Sequence, residues 1–169
     1  MEIAILQHVD FEGPAEIENW CRQTGNEYKV YRLFLGEALP KAERTDFLVI
    51  LGGPMSVLDE LPWLEEERQL IRVLISQGKP VFGVCLGGQQ IAKTLGADIF
   101  QGEYREAGWL PIRMMKSETL GELPEELVVF HWHGEQFGLP EGAERLFTSE
   151  VCPNQGFIYK ENVIGLQFH

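Results

Sequence analysis

The chain has 169 residues, 44% of them hydrophobic and 11% aromatic, which suits one domain with a well-formed core. Its net charge of −12 repels a phosphate backbone and sets nucleic acid aside as a partner. No stretch approaches the roughly 20 apolar residues of a membrane helix, and the opening run Met1 to Leu6 lacks the basic start and small-residue cleavage site of a secretion signal.

In chain order, Ile3-Ala4-Ile5-Leu6 reads as a buried strand, and residues 14–24 as a helix that Gly25 ends. Residues 28–33 alternate like a second strand. Residues 47–51 form a continuous apolar run, the pattern of a central parallel strand covered on both faces, and lead into Gly52-Gly53-Pro54. Pro62 opens the clearest helix. Glu65, Glu66 and Glu67 fill its first turn, where they suit the positive end of the dipole. Leu64, Ile71 and Ile75 recur at helical spacing, as do Trp63, Leu70 and Leu74, and Gly78 and Pro80 stop the helix. Residues 81–84 are another short strand, and residues 89–95 a helix ended by Gly96. This alternation predicts an α/β fold with a doubly wound, mostly parallel sheet. After Gly96, residues 99–100, 109–114, 127–131, 157–159 and 163–168 look like strands with turns between them, some of them forming an antiparallel extension.

Open α/β sheets bind ligands beyond the carboxyl ends of their strands. Three such ends carry unusual residues: Gly52-Gly53-Pro54, Cys85-Leu86-Gly87 and His169. Gly83-Val84-Cys85-Leu86-Gly87 has the form G-x-C-x-G between a strand and a helix, the cysteine version of a nucleophile elbow. The glycines clear side chains from a sharp turn that lifts the sulfur to the strand tip. The helix N-terminus that follows is expected to lower the thiol pKa. Acyl transfer needs donors for a developing oxyanion, here the N–H of Leu86 and that of Gly53 in the neighbouring turn. His169, at the end of its strand, is placed to take the thiol proton and return it to a leaving amine. The plainer reading of Cys85 is a buried structural thiol beside packing glycines. Cys21, Cys85 and Cys152 are odd in number and widely spaced, which argues against a disulfide framework and for a reducing cytoplasm. His131 and His133 share one face of a strand, but no cysteine or acid stands nearby at metal spacing, so no metal is expected.

Gly83-Val84-Cys85-Leu86-Gly87-Gly88-Gln89 and Gly165-Leu166-Gln167-Phe168-His169 resemble the two signatures of class I glutamine amidotransferases. Gly52-Gly53-Pro54-Met55-Ser56 is similar to the family's oxyanion segment, and Phe130-His131-Trp132-His133-Gly134-Glu135 to its glutamine-site segment. The likeness is greatest to the stand-alone group related to the amidotransferase domain of GMP synthetase. The resemblance implies a flavodoxin-like sheet and cytoplasmic glutamine hydrolysis without a cofactor. It makes Cys85 the carrier of a γ-glutamyl thioester, Gly53 and Leu86 the oxyanion donors, and Gln89 a glutamine-holding residue. Backbone near Met55, Trp132 and Gly134 would bind the α-amino and carboxylate groups, and His133 would be structural. No G-x-x-x-x-G-K-[ST] loop is present, so a synthetase subunit receiving the ammonia would be another chain. The family pattern continues past the histidine with Pro-Glu, whose Glu orients the imidazole. The 169 residues are therefore expected to be one domain truncated at its C-terminus, with Glu135 the acid weighed as a substitute. Two other readings share these residues: a hydrolase of larger γ-glutamyl amides, and a non-catalytic, redox-sensing homologue in which Cys85 is an oxidisable thiol.

Overall fold

Apolar residues alternate between two faces along the first strand, and this alternation sets the layers. The computed structural model describes residues 1–121 and 123–169. In β1 (Glu2–Gln7), Ile3 and Ile5 pack with Val49, Leu51 and Cys21 on one face. Ala4 and Leu6 pack on the other face with Leu48, Ile50, Ile71, Leu74 and Ile91. Helix α1 (Glu16–Gln23) therefore covers one side of the sheet, and α2 (Pro62–Ser76) and α3 (Leu86–Thr94) the other, as a doubly wound sheet requires. Ile5, Leu6, Leu48 and Ile50 are fully buried, each stabilising the fold by roughly 1.5–3 kcal/mol.

The other strands are β2 (Glu27–Arg32), β3 (Phe47–Ile50), β4 (Val81–Val84), β5 (Ile99–Met114), β6 (Glu126–Phe137), β7 (Glu144–Thr148), β8 (Gly156–Tyr159) and β9 (Val163–Leu166). All lie in one nine-stranded sheet of order β2-β1-β3-β4-β9-β8-β7-β5-β6. The first five in that order pair in parallel, and the pairings from β9 through β8, β7 and β5 to β6 are antiparallel. The chain runs from β1 to β2 on one side and returns to β3 on the other. Such a reversal leaves a crevice beyond the carboxyl ends of β1 and β3.

Four elements differ from the sequence reading, the first being β6, which runs six residues past the expected end at His131. Helix α3 starts at Leu86, three positions before the expected Gln89, because Gly87 and Gly88 serve as helix residues at a close packing contact and not as turn breakers. The polar stretch between residues 100 and 109 continues β5 through a register shift between Gln101 and Glu106. It lies toward the sheet edge, where polar side chains meet solvent. Strand β7, with its polar start at Glu144 and Arg145, carries too little alternation to be anticipated, yet Leu146 and Phe147 are buried.

Candidate active site

Cys85 stands between β4 and α3 with φ 52° and ψ −107°, a backbone conformation that non-glycine residues avoid at a cost of roughly 1–3 kcal/mol. Both sides of the residue are pinned. Its N–H donates to Leu166 O at 2.8 Å, and its carbonyl accepts from the Gln89 N–H at 3.0 Å. The neighbouring glycines are there for space. A Cβ on Gly83 would lie 2.4 Å from the Gly87 carbonyl, one on Gly87 2.2 Å from Ile50 O, and one on Gly88 2.4 Å from Leu166 O. All three are backbone contacts, so the first turn of α3 can sit on β3, β4 and β9 only without these side chains.

The thiol opens on a cavity of about 470 Å³, within the roughly 300–1,000 Å³ of small-molecule sites. Gly53, Met55, Gln89, Trp132 and Gly134 border it with Cys85, so the residues expected to surround a substrate do come together. Leu86 is adjacent: a Cβ on Gly53 would lie 3.2 Å from Leu86 Cδ2. Gln89 Nε2 donates to Glu135 O at 3.3 Å and to Gln167 Oε1 at 3.2 Å, and Gln167 Nε2 reaches Cys85 Sγ at 3.9 Å. Trp132 contributes its carbonyl, 3.9 Å from Sγ, and its exposed ring lies 6.4 Å from that of Phe11 at the cavity rim.

One expectation is reversed. The N-terminus of α3 does act on the thiol, through the Leu86 N–H, but burial and then the Glu12 and Glu135 carboxylates outweigh it and push Cys85 up to about 12. The resting side chain is a thiol, and a buried thiol of this kind becomes a nucleophile only with a base at hand. Burial, reinforced by His133 and His131, holds the His169 imidazole below its ordinary value and leaves it neutral and able to accept a proton. His169 is anchored by its own N–H to Phe130 O at 2.8 Å, with its ring 6.0 Å from the Phe130 ring. No hydrogen bond joins it to Cys85 among the described residues, and in ligand-free sites such catalytic contacts are commonly loose.

Several site residues escape a sequence reading. Glu12, in the loop after β1, borders the cavity, and its Oε2 is buried with no hydrogen-bond partner. A Cβ on Gly52 would lie 2.2 Å from that oxygen and 2.9 Å from His169 Cε1, so the carboxylate and the imidazole flank the same glycine. Glu135, weighed as a substitute acid, instead accepts from Ser56 Oγ at 2.8 Å. Glu106 corrects the expectation that no acid accompanies His131 and His133. It reaches them from β5, with Oε2 3.8 Å from His131 Nδ1 and 3.1 Å from His133 Nε2. Their ligand atoms lie within 4.8 Å of one another, the one such group found among the described residues. Glu106 also accepts from Gln155 Nε2 at 2.6 Å and Ser149 Oγ at 2.8 Å. Burial pushes its carboxyl up, but bonds from His133 and Ser149 and the histidine charges hold it below the usual range. In this arrangement it ties β5, β6 and the loop before β8 together at the wall of the cavity, which Glu106 and His133 border.

The family model for glutamine amidotransferase class-I matches residues 13–169. Across its whole length the chain is 33% identical to the glutamine amidotransferase-like protein YfeJ of Salmonella typhimurium, spanning 75% of that protein. It is 35% identical over 132 residues to the glutamine-hydrolyzing GMP synthase of Bacillus cytotoxicus, a match to 76% of this chain but only 25% of that enzyme. Among solved structures, a glutamine amidotransferase of Thermotoga maritima superposes with a TM-score of 0.93 at 36% identity, covering 99% of this chain and 75% of that one. Another from Methylobacillus flagellatus gives 0.95 at 33% identity, covering 99% and 69%.

Proposed function

Since this chain belongs to the class I glutamine amidotransferase family, we propose that it hydrolyses the side-chain amide of glutamine through a thioester on Cys85, releasing glutamate and ammonia. The observation that carries this reading is the strained elbow at Cys85 opening on a cavity bordered by Gly53, Gln89, Trp132 and Gly134.

The steps follow from the groups present. As Sγ attacks the amide carbon, its proton passes to the neutral His169 imidazole and the carbonyl π pair moves onto oxygen. The N–H groups of Gly53 and Leu86 receive that oxyanion, an interaction typically worth about 10²–10³ in rate per donor. Collapse breaks the C–N bond, and the imidazolium proton leaves with the amine as ammonia. Water, deprotonated by the same imidazole, then cleaves the thioester and restores the thiol. A base that acts during attack suits a cysteine whose free thiolate is disfavoured. Gln89 and the backbone near Met55, Trp132 and Gly134 hold the glutamine. Ammonia passes to a synthetase on another chain, a role supported by the similarity to part of a glutamine-hydrolyzing GMP synthase.

Glutamate release, followed with a coupled dehydrogenase in the presence of an excess of glutamine, tests this. Wild type should turn over, and Cys85→Ala should lose at least about 10³-fold. A Cys85→Ala variant with wild-type turnover would overturn the proposal.

A further inference from the structure

Behind the Gly52-Gly53 turn runs a largely buried chain of hydrogen bonds. Arg68 Nη1 donates to Gln90 Oε1 at 2.8 Å, which leaves Gln90 Nε2 to donate to Glu67 Oε1 at 3.0 Å. Glu67 Oε2 lies 2.9 Å from His8 Nε2, and His8 Nδ1 lies 3.2 Å from Gly52 O. The His8 and Glu67 side chains are fully buried, and the His8 ring stacks on Trp63 at 5.2 Å. A carbonyl oxygen can only accept. His8 therefore carries a proton on Nδ1, directed at Gly52 O, while its Nε2 faces the Glu67 carboxyl.

The peptide bond between Gly52 and Gly53 links this chain to the site. It is trans, so its N–H points away from its C=O. With the carbonyl held by His8, the Gly53 N–H is turned the other way, and Gly53 itself borders the cavity beside Cys85. That N–H has no hydrogen-bond partner among the described residues. Glycine on both sides leaves this peptide freer to rotate than any other pairing would, so something must hold it. Resting on the glutaminase reading, we infer that His8, braced by Glu67, is a positioning residue that aims the Gly53 N–H at the oxyanion. The two residues come from the end of β1 and from α2, and neither borders the cavity.

Two reactions of one thiol separate this role from a structural one. A glutamine-derived aldehyde forms a tetrahedral adduct on Cys85 whose oxygen needs the oxyanion donors. Iodoacetamide alkylates the same sulfur and forms no oxyanion. In His8→Gln, kcat for glutamine should fall about 10–10²-fold, part of the loss expected for removing a donor, while KM changes less than about threefold. Aldehyde affinity should fall in parallel, and alkylation of Cys85 should stay within about twofold of wild type. Glu67→Leu removes the polar group that braces the ring, should behave alike, and answers the question if His8→Gln does not fold. Unchanged kcat and aldehyde affinity overturn the inference. So does a joint collapse of aldehyde binding and alkylation, the mark of a disordered site. A wild type inert toward glutamine defeats the parent reading, whereas an active wild type indifferent to both substitutions defeats only this one.

Discussion

Cys85→Ala and Cys85→Gly remove the same sulfur, so any difference in their stability reports the backbone at the elbow. At an ordinary position glycine is the worse of the two by roughly 0.5–1 kcal/mol, because the unfolded chain gains freedom. At φ 52° and ψ −107°, alanine keeps a strain of roughly 1–3 kcal/mol that glycine sheds. The balance favours glycine by about 1 kcal/mol. For a chain of 169 residues that corresponds to a Tm higher by about 2–4 °C. Thermal unfolding of both variants in one buffer, at one scan rate, measures the difference. A Cys85→Gly protein that melts at or below Cys85→Ala would refute the argument that the elbow holds its residue under strain.

In ligand-free protein at pH 7.5, iodoacetamide should alkylate Cys85 about 10³ times more slowly than a thiol at its ordinary 9.0, since a rise to about 12 cuts the thiolate fraction by about that factor. Glu12→Gln removes one of the two carboxylates facing the sulfur and should speed the reaction; equal rates by peptide mass mapping would show that its charge is not felt there. Burial pushes His8 down, but Glu67 and hydrogen bonds hold it above 6.5 in the fold. Its stabilising contribution is thus complete below about pH 6.5 and disappears as pH rises through the folded value. The groups facing it are Glu67 and Glu12, so the urea midpoint of wild type should fall across that window and the fall should flatten in His8→Gln. Parallel slopes would remove His8 from the account.

Where local chemistry dictated structure, the sequence was readable. Residues 81–84 form a strand because a short apolar run beside a glycine-rich turn has few other uses, and the elbow follows at the expected place. Pro62 starts its helix because its fixed φ and missing N–H suit a first turn. Contacts made across the sheet were hidden. Glu12, His8 and Glu106 look like ordinary loop and strand residues until strand order carries each to its partner. The thiol pKa shows the same limit. The helix N-terminus is a local feature that the sequence shows, but the burial and the carboxylates that override it come from the loop after β1, from β6 and from the packing of the whole domain. The start of α3 was misplaced because two glycines in succession signal a turn by propensity, and only the nearness of Ile50 O and Leu166 O explains why a helix tolerates them.

Strand order also bears on how the molecule is made. Strand β4, which ends just before Cys85, is flanked by β3 on one side and by β9 on the other, and Gln167, whose amide meets the sulfur, follows Cys85 by 82 residues. A ribosome therefore exposes the Cys85 strand well before the strand that fixes its amide, and pairings so distant along the chain form late. Until β6 and β9 emerge, the nascent protein carries a reactive residue with no pocket around it. The cavity around Cys85 is complete only when the last neighbour has docked, so the topology works as a timer on assembly of the site.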